Sequence, residues 1–99
     1  MVKHTVMFRL EADAEKRAAL ECEFKEKIEQ LPAMIPELAS IHVNTDDGIA
    51  DPGNWHIVLT ADVPDYEALR LYAGHPEHLK CVAIIKPFIA ARACVDYTF

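Results

Sequence analysis

Apolar residues in this chain switch between a period of two and a period near 3.6 in a set order, and that order restricts the fold more than any other feature. Val2–Leu10 alternates, with His4, Val6, Phe8 and Leu10 pointing one way and Thr5, Met7 and Arg9 the other. From Asp13, a suitable N-cap, the period becomes helical. Leu20, Phe24, Ile28 and Leu31 recur at i, i+4, i+8 and i+11 as one apolar stripe, with Arg17 or Cys22 at its margin. Glu21–Lys25 and Glu23–Lys27 are Glu-before-Lys pairs on the outer face, each supporting a helix by about 0.2–0.5 kcal/mol. Pro32 lacks an N–H and stops this helix near Leu31.

A second strand is expected at about Ala39–Asn44 and a third over Trp55–Ala61. Between them lies a loop holding Asp46, Asp47, Gly48, Asp51, Pro52 and Gly53. Pro64-Asp65 opens a second helix with Tyr66, Leu69 and then Tyr72 or Ala73 on one side, closed by Gly74. His75 caps a third helix that begins with Pro76, runs through Leu79, Val82, Ala83 and Ile85, and ends before Pro87. Arg92–Phe99 is the fourth strand, with Ala93, Val95, Tyr97 and Phe99 on one face.

The order β-α-β-β-α-(α)-β is that of a split-βαβ, ferredoxin-like α+β sandwich: a four-stranded antiparallel sheet with helices on one face, in a single domain over residues 1–99. The other sheet face is left bare. It is expected to carry Met7, Val58 or Ile57, and Cys94, together with similar residues. With 52% of 99 residues apolar, a lone domain exposes that face as a large patch, so a homodimer formed sheet to sheet is expected to cover it.

Charge excludes other roles. Ten Lys and Arg against 16 Asp and Glu give a net charge of −6, which disfavours nucleic acid and anionic membrane surfaces as partners. No apolar run reaches the ~18–20 residues of a membrane span. Met1–Val6 lacks the apolar core of a secretory leader. Cys22, Cys81 and Cys94 form no CxxC pair or disulfide framework and read as small, buried apolar residues. A cytoplasmic location is the expectation from these features.

Chemistry concentrates in Tyr72-Ala73-Gly74-His75-Pro76-Glu77-His78. Two histidines three residues apart at a helix start can share a face, and histidine moves protons near neutral pH. A tyrosine one turn upstream can donate to a developing oxyanion. That combination suits abstraction of a proton alpha to a carbonyl. The structural alternative is that His75 caps the helix, Pro76 takes its first position and His78 packs. The i, i+3 pair with His4 as third ligand is the one arrangement that points to a metal. Nothing resembles HExxH or a Cys/His array, and the loop aspartates lack calcium-loop spacing. No metal is expected, and without a phosphate or dinucleotide loop no other cofactor is either.

The chain resembles the stress-responsive A/B-barrel (Dabb) family. The resemblance rests on Val2-Lys3-His4-Thr5-Val6-Met7-Phe8, Trp55-His56-Ile57-Val58-Leu59, Tyr72 with His75-Pro76-Glu77-His78, and Val95-Asp96-Tyr97, in the family's order over nearly the whole chain. It implies a ferredoxin-like fold whose sheets pair into a dimeric α/β barrel. Some family members are polyketide cyclases that carry out a cofactor-free aldol condensation with a Tyr and a His. By that resemblance His78 is the general base and Tyr72 the orienting hydrogen-bond donor. His4, Val6, Phe8, Phe24, Ile28 and His75 are then substrate-binding, and the ligand is a small apolar or carbonyl compound. Lys25 and Ile28 stand where a pocket for a long-tailed polyketide favours larger aromatics. The alternative to a small lyase or cyclase is a non-catalytic dimeric module that binds a small apolar ligand.

Overall fold

A computed structural model describes residues 1–99. The element order is β1 (Val2–Leu10), α1 (Ala14–Ile28), β2 (Ser40–Thr45), β3 (Ile57–Val63), α2 (Tyr66–Gly74), α3 (Pro76–Ile85) and β4 (Ile89–Thr98), with short 3₁₀ turns at Leu31–Ala33 and Lys86–Phe88. The strands form one antiparallel sheet in the order β2-β3-β1-β4. This is the ferredoxin-like arrangement, with all helices on one face. No helix is long and apolar enough to cross a membrane.

Alternation along each strand decides which residues meet the helices. The pairings Val6↔Leu59, Val43↔Leu59 and Val6↔Cys94 put these residues in one row beneath α1 and α3. Twenty residues are buried, and all of them belong to one core between that sheet face and the helices. Phe24 of α1 is fully buried and meets Phe8 of β1 edge to face, with ring centroids 6.1 Å apart. Burying side chains of this size is worth about 1.5–3 kcal/mol each, which lets so short a chain hold the helices down.

Helix α1 ends at Ile28, three residues before Leu31. Pro32 is the reason: it has no N–H to offer the Ile28 carbonyl four residues back, so α-helical bonding stops there and a 3₁₀ turn takes over. Lys25 in the last turn and Glu29 just past it reach the neighbouring strand. Glu29 Oε2 accepts from the Val43 N–H at 2.9 Å, while Lys25 Nζ donates to the Val43 carbonyl. Strand β2 is an edge strand, and this clasp satisfies its outward-facing backbone at that residue. Desolvation pushes the Glu29 carboxyl upward, but the Val43 N–H and Lys25 outweigh it and hold it below the usual carboxylate range.

Several expected placements are corrected. Strand β3 starts at Ile57, so Trp55 and His56 precede it; His56 Nδ1 accepts from the Leu10 N–H at 2.9 Å and secures the end of β1. On α3 the inward positions are Cys81 and Ile85, whereas Leu79 points out, because one residue of offset turns a helical side chain by about 100°. Tyr66 on α2 likewise faces solvent, and Ala68 is buried in its place. Of the cysteines only Cys81 is buried; Cys22 is exposed and Cys94 half-buried. Cys94 also leaves the bare face. It pairs with Val6 and therefore lies on the helix side, while Val58, pairing with Met7, lies on the bare one.

Candidate functional site

The junction of α2 and α3 is built by two caps. Asp65 accepts from the Ala68 N–H at 2.8 Å and starts α2. His75 closes α2 and opens α3: its N–H donates to the Tyr72 carbonyl, and its Nδ1 accepts from the Glu77 N–H at 3.1 Å. Pro76 occupies the first turn of α3 at no hydrogen-bonding cost. The structural alternative for His75 thus describes what it does, and it does not line the cavity described below.

One turn into α3, His78 donates from Nδ1 to the Ala73 carbonyl at 2.9 Å. That carbonyl belongs to the last turn of α2 and has no partner within the helix. Since a carbonyl only accepts, Nδ1 carries the proton and Nε2 is left with a lone pair. Desolvation lowers the His78 pKa below the ordinary imidazole value. The bond to Ala73 pulls the other way, and His4, Arg92 and His75 add to the lowering. The neutral, Nε2-basic ring is therefore the favoured form at neutral pH.

Tyr72 stands between two histidines. Its ring centroid lies 4.4 Å from that of His78 and 6.3 Å from that of His4. The Tyr72 hydroxyl is buried and has no hydrogen-bond partner, an unusual state for a group whose isolation costs about 1–3 kcal/mol. Burial, with a smaller contribution from the Cys81 thiol, pushes its ionisation far above the ordinary phenol value, so it is a neutral donor without an acceptor.

These residues line a cavity of about 280 Å³ between α1, α2, α3 and the sheet. Six of the eight expected site residues are gathered there: His4, Val6, Phe8, Phe24, Tyr72 and His78. Ile28 is not among them; it is fully buried one turn beyond Phe24, deeper under α1. His75 is absent because its ring is committed to the cap. Leu59, Val82 and Ile89 extend the apolar lining, and Lys86 and Arg92 add two charges that sequence reasoning missed. Alternation held the signal for Arg92: in β4 it has the parity opposite to Ala93 and Val95, which places it on the helix side.

The same parity brings Cys94 and Asp96 beside His4. Asp96 is the direct cross-strand partner of His4, and its Oδ1 lies 2.5 Å from His4 Nδ1. Cys94 Sγ is 3.5 Å from each of those two atoms. The ligating atoms of these three residues fall within 4.8 Å of one another, so this is the group able to hold a metal ion, rather than His4 with His75 and His78. Burial raises the Cys94 thiol pKa, and the nearby Asp96 carboxylate adds to it.

Comparison with known proteins places this architecture. Among curated proteins no sequence matches the chain. A dimeric protein of unknown function with a ferredoxin-like fold from Bacteroides fragilis is 38% identical, with a TM-score of 0.90 over 99% of this chain and 95% of that one. A dimeric ferredoxin-like protein of unknown function from Thermobifida fusca is 29% identical, with a TM-score of 0.79 over 99% and 90%. The hydroxynitrile lyase of Passiflora edulis shares the fold at 18% identity, with a TM-score of 0.73 over 99% and 95%. The sequence model of the stress responsive A/B barrel domain matches residues 2–99, and the chain belongs to that family.

Proposed function

We propose that the cavity is the site of a cofactor-free lyase or cyclase acting on a small carbonyl compound, with His78 as general base and Tyr72 as hydrogen-bond donor. One observation carries this reading: a histidine with its Nδ1 committed to a backbone carbonyl and a tyrosine whose hydroxyl lacks an acceptor line the same largely apolar cavity. In the proposed step, His78 Nε2 removes a proton alpha to the carbonyl. The electron pair moves onto the carbonyl oxygen, and Tyr72 stabilises the resulting enolate by donating to it. The enolate then attacks a second carbonyl, or the charge expels a leaving group. Val6, Phe8, Phe24 and His4 hold the substrate. The fold alone does not select this chemistry, since its relatives include a hydroxynitrile lyase and an antibiotic biosynthesis monooxygenase.

The working unit in this proposal is a homodimer closed through the bare sheet face. Met7, Val95, Tyr97 and Phe99 are each 43–63% exposed there, and the 38% identical Bacteroides fragilis protein is described as dimeric.

The test is hydrogen–deuterium exchange alpha to the carbonyl of phenylacetone and phenylpyruvate, followed by NMR. Exchange above the solvent rate is expected. His78→Ala should reduce it about 10²–10⁴-fold and Tyr72→Phe by a smaller factor, with melting curves showing both variants folded. No exchange above the solvent rate, or full rates in His78→Ala, would sink the proposal. A second reading, binding without proton transfer, is favoured by the sealing of the Tyr72 hydroxyl from solvent. It predicts thermal stabilisation by the same ligands and no exchange.

A further inference from the structure

The cavity has a charge asymmetry that proton transfer does not require. Its lining contains two full positive charges, Lys86 just past the end of α3 and Arg92 on β4, and no carboxylate. Acidic residues outnumber Lys and Arg by 16 to 10, so a basic side chain has every opportunity to find an acid. Lys3, Arg17, Lys25, Arg70 and Lys80 have each done so within 4.0 Å. Lys86 and Arg92, like Arg9, Lys16 and Lys27, make no such pair; what sets these two apart is that both are exposed and line one cavity that holds no acid. The remainder of the lining is mostly apolar, with Phe8, Phe24 and Leu59 on the sheet and α1 side. An apolar body and one anionic end describe the complementary ligand.

We infer that the cavity takes a small carbonyl compound bearing a free carboxylate, its apolar part against Phe8 and Phe24 and its carboxylate at the rim formed by Lys86 and Arg92. This deepens the function proposed above and rests on that reading for the reactive role of His78. At about 280 Å³ the cavity lies just below the usual range of ~300–1,000 Å³, which limits the ligand to a single ring or a short chain. Arginine pairs with a planar carboxylate through two parallel N–H donors, and lysine adds a point charge beside it. The two cations also fix the orientation of the ligand, because only one end of it can meet them. With the anionic end held at the rim, the enolisable carbon is left among the apolar residues near His78 and Tyr72.

Calorimetric titration with phenylpyruvate and with its methyl ester, which matches it in shape but lacks the charge, tests this. The acid should bind the intact protein at least about tenfold more tightly than the ester, a factor equal to 1.4 kcal/mol. Its advantage should shrink as salt is raised. The advantage should vanish in Lys86→Gln/Arg92→Gln and persist in His78→Ala. Equal binding of acid and ester, binding of neither, or an undiminished preference in the double variant overturns the inference. Inorganic phosphate competing as strongly as phenylpyruvate also overturns it, by showing a rim that takes any anion. Both side chains are exposed, so the double variant should melt as the parent does. Should it misfold, the singly substituted Arg92→Gln, expected to lose part of the preference, and Arg92→Lys, expected to keep most of it, replace it; equal preference in these two overturns the inference. Preference for the acid without alpha-proton exchange removes the reactive role of His78 and leaves the carboxylate site. Exchange without preference removes the carboxylate site alone.

Discussion

On the helix-covered side of the sheet, Val6, Phe8, Val43 and Leu59 are each at most 5% exposed. On the opposite side, Met7, Val95 and Tyr97 keep 43–63% of their surface in contact with solvent. Both sets belong to one sheet and differ in strand parity: in β1, Met7 lies between Val6 and Phe8 and points the other way. The covered face holds the core and continues into the cavity. The bare face mixes those apolar residues with Lys3, bonded to Asp62 at 2.9 Å, and with Ser40, which also bonds Asp62. Strand periodicity thus creates two surfaces, but a single chain supplies helices for only one of them. What distinguishes the faces is the source of their cover: α1, α2 and α3 on one side, and in the proposed dimer a second copy on the other.

The sharpest way to break this comparison is to remove a large side chain from the helical cover of the buried face. Phe24→Ala should cost about 3–5 kcal/mol, because the ring is fully buried and its edge contact with Phe8 is lost with it. Against a typical domain stability of ~5–15 kcal/mol, that is a large part of the total. Denaturant unfolding measures it. A loss under about 1 kcal/mol would show that the core between α1 and the sheet is less closely packed than its burial implies.

The bare face should respond in the opposite manner. Val95→Lys/Tyr97→Lys places two like charges where a second sheet is proposed to lie. Folding of the separate chain should change by about 0.5 kcal/mol or less per site, as is usual for exposed positions. Association should weaken at least about a hundredfold, equal to ~2.7 kcal/mol. Sedimentation at micromolar concentration checks both the parent and the variant. A dimeric variant, or a parent that sediments as a monomer, would leave the bare face without its proposed cover.

The two faces were not equally legible in the sequence. Alternation in β1 sorted His4, Val6, Phe8 and Leu10 from Thr5, Met7 and Arg9 correctly, because a period of two leaves one choice to make and the apolar run makes it. Strand β4 offered no such contrast. Small and apolar residues occur at both parities, so the pattern sorts Cys94 with the wrong set and carries no sign that Asp96 meets His4 or that Arg92 shares a cavity with His78. Helix α3 was hard to phase for a similar reason. Leu79, Cys81, Val82, Ala83, Ile84 and Ile85 are apolar nearly all round, and only packing against α1 and the sheet decides that Cys81 goes in and Leu79 goes out. Spacing within one segment groups Tyr72 with both His75 and His78, and the resemblance to the family singles out Tyr72 and His78. The cavity they share also needs Phe8, Phe24 and Ile89 from three separate elements, a long-range arrangement that no local pattern encodes.

The smallest expected effect concerns the histidines of the covered side. Desolvation lowers the pKa of His78, with Arg92 among the other contributors, and that of His56, with Arg17 and Arg9 adding to it. Each therefore binds fewer protons in the folded chain than in the unfolded one, and stability must rise with pH through the window between the two pKa values. Their contribution is complete above the ordinary imidazole pKa of 6.5 and declines as the pH falls through the lower folded values. The melting temperature should drop by a few degrees between about pH 7 and pH 5, before the carboxylates titrate. His78→Asn should remove part of that drop and His56→Asn another part. The bare-face variant Val95→Lys/Tyr97→Lys should leave the histidine-dependent slope in place, since neither substituted residue touches His78 or His56. A slope that survived both histidine substitutions would exclude His78 and His56 as its source, and one that disappeared with the bare-face pair would tie it to the bare face.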